Sequence, residues 1–87
     1  MAKKKEHIQN NIRKLRFFND EMTQQELADK CGVTRQTIVA IEKGKYFPTL
    51  ELAFRISHVF GTTLDEVFTY DSTSDPQLEK VKKRKKK

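Results

Sequence analysis

The sequence contains little cysteine, glycine or proline: one cysteine, three glycines and two prolines stand among 87 residues, and tryptophan is absent. Cys31 cannot form a disulfide within the chain, and His7 and His58 have no ligand-like spacing with it, so a zinc site is not expected. Neither a G-x-S-x-G elbow nor a phosphate-cradling glycine loop occurs. We therefore expect no enzymatic activity, no catalytic residue, no metal and no cofactor.

Long apolar runs are also missing. No apolar stretch approaches the about 18 residues of a membrane-spanning helix, and no signal-peptide core appears, so we expect a soluble, cytoplasmic chain without a membrane partner. A length of 87 residues predicts one domain and no second domain that could bind a small-molecule effector. No alternating apolar run of strand length is present, so a β-sheet is not expected.

The positive charge is concentrated at the two ends of the chain. Residues 1–5 carry a net charge of +3 and residues 79–87 carry +6; because the whole chain carries +6, residues 6–78 carry −3. This distribution, together with the helical apolar spacing between the two ends, predicts a basic N-terminal arm at 1–7, a helical domain at 8–70 and a basic C-terminal tail at 71–87, disordered or partly ordered. Two interpretations stay open for the ends: merely solvated tails, or tails that add salt-dependent, sequence-independent affinity for phosphate.

Helical apolar spacing recurs through residues 8–70. It predicts a first, a fourth and a fifth helix outside the central stretch, and each of the three glycines stands where a helical pattern ends. The inward-facing residues predicted for these three helices are Ile8, Ile12, Leu15 and Phe18; Leu52, Ala53, Ile56, Val59 and Phe60; and Leu64, Val67 and Phe68.

The stretch from residue 23 to residue 44 contains two short helical patterns joined by a tight break. Thr23 with Glu26 fits a capping box, which predicts a helix beginning at Gln24. That helix would bury Cys31 as an apolar thiol and end at Gly32, a residue suited to a C-terminal cap with positive φ.

The second of these two helices is predicted over residues 34–43. Thr34 is a favourable N-cap, and Ile38 and Ile41 share the inward face. The outward face is polar at its start, at Arg35 and Gln36, and small further along. Two helices joined at such a corner are typical of a helix-turn-helix, here at residues 23–43, and the predicted partner is double-stranded DNA.

The chain also resembles the Cro and lambda-repressor type of helix-turn-helix protein, the XRE family, over about residues 11–68. Ala28, Gly32, Ile38 and Ile41 match the family's small, glycine and aliphatic positions. The resemblance implies an all-α fold, a compact five-helix lambda-repressor-like DNA-binding domain. The link at residues 16–22 is one residue longer than is usual in the family, which predicts a slightly larger loop.

The resemblance also implies roles for individual residues. Arg16 and Glu42 match positions that pair beneath the DNA-facing surface, although exposed, unrelated charges are an alternative. Phosphate contacts are implied on both sides of the corner, and base contacts along the outward face of the second helix. The implied base contacts are Arg35, Gln36, Thr37, Val39 and Ala40, and the implied phosphate contacts are Gln24, Thr34, Lys43, Lys45 and Tyr46.

These expectations describe a sequence-specific transcriptional regulator, most simply a repressor, that binds an inverted-repeat operator as a homodimer with helix 34–43 in the major groove. The implied dimer surface comprises Phe54, Leu64, Val67, Phe68 and Tyr70, with core packing as the alternative for all but Phe54. Two other functions stay open: a protein-interaction module such as an antitoxin or bridging co-activator, and a basic tail that holds the domain on membrane or RNA.

Overall fold

The computed structural model describes residues 7–75 and 77. Most of the predicted basic arm and of the predicted basic tail therefore lies outside the described residues. Five α-helices and a small antiparallel sheet form the domain. In chain order the elements are β1 (Ile8–Asn10), α1 (Ile12–Phe18), α2 (Gln24–Cys31), α3 (Arg35–Glu42), α4 (Leu50–Phe60), α5 (Leu64–Val67), β2 (Phe68–Tyr70) and a 3-10 turn (Ser72–Ser74).

The corner between α2 and α3 forms as the local sequence predicts. The Thr23 hydroxyl accepts a hydrogen bond from the Glu26 amide at 3.0 Å, and the Glu26 carboxylate accepts one from the Thr23 amide at 2.8 Å. Gly32 ends α2 in the left-handed region with a φ of 73°. The Thr34 hydroxyl then accepts from the Thr37 amide at 3.2 Å, which caps the start of α3. The predicted beginnings of both helices are confirmed.

The hydrophobic core lies where the five helices meet. Each helix contributes at least one completely buried side chain: Ile12 from α1, Leu27 and Ala28 from α2, Ile38 from α3, Ile56 from α4 and Val67 from α5. Cys31 also belongs to this core, and burial raises the pKa of its thiol above the ordinary value while Arg55 partly opposes that shift. The expectation of a buried, apolar thiol is confirmed.

The expectation that the chain contains no sheet is wrong. β1 and β2 pair antiparallel, with Ile8 opposite Tyr70 and Asn10 opposite Phe68. Ile8 therefore belongs to a strand rather than to α1, and Phe68 begins a strand rather than closing α5. Three-residue strands are too short to show an alternating pattern of apolar and polar residues. The paired residues also lie about 60 positions apart in the sequence, so no local pattern predicts the pairing.

The spacing of Phe18 predicts a side chain that faces the core, but in the structure this side chain faces solvent. Its side chain is 70% exposed, and that of Phe17 is 61% exposed; the two rings meet edge to face with centroids 5.4 Å apart. The chain turns immediately after α1 through Asp20 and Glu21, both with positive φ. This turn brings Met22 into the core, so the apolar contact after the end of α1 comes from Met22 instead.

Candidate nucleic-acid interface

The outward face of α3 begins with two polar side chains. Because Ile38 and Ile41 are buried, the opposite side of the helix faces solvent, and Arg35 and Gln36 are exposed on its first turn. Neither side chain has a hydrogen bond or an ion pair with another residue that the structure describes. Both are therefore available to an external partner.

The middle of the same face is smaller and less exposed. Thr37, Val39 and Ala40 are half-buried, and the Thr37 hydroxyl lies 3.1 Å from the Thr34 hydroxyl. The helix surface thus tapers from long polar groups to short side chains, so its backbone could approach an opposing surface closely. The five residues implied as base contacts all lie on α3 outside its buried stripe of Ile38 and Ile41.

An open cleft of about 640 Å³ lies between α1, the first turn of α2, the loop before it and α3. Four cations and two carboxylates line it, which gives a formal charge of +2, although residues 6–78 carry −3 in total. We call it the cationic cleft. Its charged residues are Arg13, Arg16, Arg35, Lys43, Glu21 and Glu42.

Glu42 joins three helices at the floor of the cationic cleft. Its carboxylate accepts from Arg16 Nε at 2.7 Å and Nη2 at 3.1 Å, and from Gln24 Nε2 at 3.2 Å. Arg16 Nη1 also donates to the Met22 carbonyl at 2.9 Å. The Arg16 and Glu42 side chains are only 15% and 10% exposed, so this bidentate pair is partly desolvated. The pairing implied by the resemblance is present in the structure.

The residues implied as phosphate contacts lie on two sides of α3. Gln24 is half-buried at the start of α2, and its amide nitrogen has a second hydrogen beyond the one directed at Glu42. Thr34 is exposed just before α3. Lys43, Lys45 and Tyr46 are exposed just after α3. The structure brings Gln24 and Lys43 together in the cationic cleft, and it places Lys45 and Tyr46 outside the residues that line the cleft.

Arg13 and Asn10 are part of this region and were not anticipated from the sequence. Arg13 lines the cationic cleft from α1. The signal that could have identified it is its spacing of three residues from Arg16, which places both on one helix face. Asn10 donates from Nδ2 to the Ile41 carbonyl at 2.9 Å and accepts from the Ile12 amide at 3.2 Å, so it ties β1 to α3 and to α1.

A second surface is apolar and lies beside α4 and the sheet. It forms a shallow groove, which we call the apolar groove. The residues that line it are Ile8, Phe47, Pro48, Leu50, Ala53, Leu64 and Phe68. Of the implied dimer residues, Phe54 and Tyr70 are exposed and Leu64 and Phe68 are half-buried. Val67 is completely buried in the core and presents no surface.

Among residues 7–75 and 77, no group of three His, Cys, Asp or Glu side chains could hold a metal ion. Within the same described residues, no helix is both long and apolar enough to cross a membrane.

Comparison with known proteins identifies similar sequences. A helix-turn-helix family model (HTH_3) matches residues 12–67, from the start of α1 to the end of α5. An uncharacterised HTH-type transcriptional regulator of Methanocaldococcus jannaschii is 50% identical over 60 residues, which cover 67% of this chain and 91% of that protein. A second such regulator, from Bacillus subtilis, is 41% identical over 61 residues, which cover 70% of this chain and 91% of that protein.

Solved structures share the fold. A candidate DNA-binding protein of Bacteroides fragilis superimposes with a TM-score of 0.62 at 18% identity, covering 71% of this chain and 98% of that one. A hypothetical transcription factor from Neisseria superimposes with a TM-score of 0.58 at 25% identity, covering 83% of this chain and 75% of that one.

The charge on Glu42 should matter more for stability than the charge on an exposed acid of the same type. We expect Glu42→Gln to lower the free energy of unfolding by about 2 kcal/mol, because Arg16 would lose its ionic partner in a partly desolvated site. The loss should be smaller than for a fully buried pair, which costs more to break. Urea unfolding followed by circular dichroism measures the change.

The matched control is Glu51→Gln. Glu51 and Arg55 form an exposed pair at 3.0 Å within α4, with side chains 78% and 51% exposed. Its loss should cost less than about 0.5 kcal/mol because solvent screens such pairs. Equal losses for the two variants would contradict a special role for the Glu42 network.

Proposed function

This chain belongs to the helix-turn-helix family whose model matches residues 12–67, and we propose that it regulates transcription by binding a specific duplex sequence with α3 in the major groove. The observation that carries this proposal is the pair Arg35 and Gln36, exposed and unpartnered among the described residues on the first turn of α3. A packed structural helix would have no need of two such long donors side by side.

The chemistry of these two side chains suits base recognition. An arginine guanidinium can donate two hydrogen bonds to guanine O6 and N7, and a glutamine amide can pair with adenine N6 and N7. The major groove, about 12 Å wide, admits an α-helix whose outward side chains are short. Val39 and Ala40 supply that short surface, with Thr37 as a further base contact.

Phosphate contacts would hold α3 in register on the duplex. We assign this role to Gln24 and Thr34, near the amino ends of α2 and α3, where the helix dipole favours an anion. Lys43, Lys45 and Tyr46 would contact the backbone beyond the carboxyl end of α3. Because residues 6–78 carry a net negative charge, affinity in this part of the chain must come from such local placement rather than from bulk attraction.

The apolar groove and its surroundings supply a reason to propose a symmetric homodimer. Leu50, 67% exposed, lines that groove, and Phe54, 54% exposed, lies one turn further along α4; the domain's own core leaves both side chains uncovered. A second copy of the chain would cover them and place two α3 helices about 34 Å apart, in successive major grooves of an inverted repeat. Repression would follow where such an operator overlaps a promoter.

Selection of duplexes from a random pool at physiological salt tests sequence specificity. We expect an enriched inverted repeat, and Arg35→Ala should cost about 1–3 kcal/mol on the preferred site while relaxing the choice of one base pair. Lys43→Ala is the matched control, because loss of a phosphate contact weakens all sequences alike. No enriched sequence, or an equal loss on every sequence for Arg35→Ala, would contradict base reading and favour a protein-binding module.

Sedimentation equilibrium tests the homodimer. We expect the unsubstituted chain to dimerise and Leu50→Glu to be monomeric, because Leu50 lines the apolar groove and a carboxylate there would be desolvated without a partner on association. Phe18→Glu is the matched control, since Phe18 is 70% exposed on α1 and does not line the groove. A monomeric unsubstituted chain, or equal effects of both variants, would contradict this interface.

A further inference from the structure

Arg13 is a cation of the cationic cleft that lies outside the helix-turn-helix itself. It stands on the first turn of α1, one turn before Arg16, and it lines the same cleft as Arg35 and Lys43. The side chain is exposed. The cleft therefore has a positively charged group on the side contributed by α1 as well as on the side contributed by α3.

Arg13 and Arg16 differ in how their donors are used. Arg16 directs three of its nitrogens at Glu42 and the Met22 carbonyl. Arg13 has no hydrogen bond or ion pair with any residue in the described part of the chain. Its guanidinium therefore keeps all five N–H donors for an external acceptor, whereas Glu42 compensates much of the Arg16 charge.

We propose that Arg13 binds a phosphate of the DNA backbone from the α1 side of the cationic cleft. The inference rests on the proposed function, because it takes the duplex to lie against α3. A planar guanidinium matches two phosphate oxygens and carries no preference for a base, so Arg13 positions the domain rather than reading sequence. Glu21, an exposed carboxylate in the same cleft, weakens that attraction.

Salt dependence measures this contact directly. Each phosphate contact that is lost should reduce the slope of log K against log salt by about 0.9. Between about 50 and 200 mM salt, the affinity advantage of the unsubstituted chain over Arg13→Ala should therefore shrink about threefold. The loss at any one salt concentration should be the same on the selected duplex and on unrelated duplexes.

Two variants serve as controls: one removes a positive charge outside the cleft, and the other removes a negative charge within it. Lys14→Ala removes the same charge from the neighbouring residue of α1, which is exposed but does not line the cleft, so it should change the slope much less. Glu21→Gln removes a negative charge from the cleft and should strengthen binding to all duplexes alike. Arg13→Gln removes the charge but keeps a polar side chain with good helix propensity, and it replaces Arg13→Ala if urea unfolding shows that the alanine variant is unstable.

Failure of the Arg13 contact and failure of the proposed DNA-binding function would give different results. Equal slopes for the Arg13 and Lys14 variants, with the unsubstituted chain binding its selected duplex, would overturn the assignment of Arg13 and leave the proposed function standing. A changed base preference in Arg13→Ala would also overturn it, because the residue would then read sequence. Absence of salt-dependent DNA binding by the unsubstituted chain would overturn both.

Discussion

The carboxylate of Glu42 holds α1, α2 and α3 together at the cationic cleft. Its hydrogen bonds from Arg16 and Gln24 join the last residue of α3 to the other two helices, while Ile38 and Ile41 fix the same helix from the core side. The first turn of α3 is left free of such contacts within the described residues. A rigid helix with an unoccupied polar end is the arrangement that base recognition requires.

The same carboxylate organises the charge of the interface. Without it, the cationic cleft would contain four cations opposed only by Glu21. Because Glu42 engages Arg16 and one hydrogen of the Gln24 amide, the cations with no partner in the described residues are those at the rim: Arg13, Arg35 and Lys43. Uncompensated positive charge is thus confined to the edge of the cleft, in a domain whose residues 6–78 carry a net negative charge.

The sequence predicted the features that depend on neighbouring residues. Hydroxyl caps at Thr23 and Thr34 specify where α2 and α3 begin, since capping requires only a few consecutive residues. Features made by distant segments were missed. The β1–β2 sheet pairs residues about 60 positions apart, and Phe18 faces solvent because the chain turns to bury Met22. Arg13 was missed for the same reason, because the cleft exists only once α1, α2 and α3 are assembled.

We expect the exposed first turn of α3 to contact DNA. Backbone amide shifts in heteronuclear NMR, followed while the selected duplex is added, test it most directly because they report on every element at once. The largest changes should fall on residues 34–46 and on the start of α2, with little change in the buried core. Large changes confined to α4 and the sheet, with the amides of Arg35 and Gln36 unmoved, would contradict it.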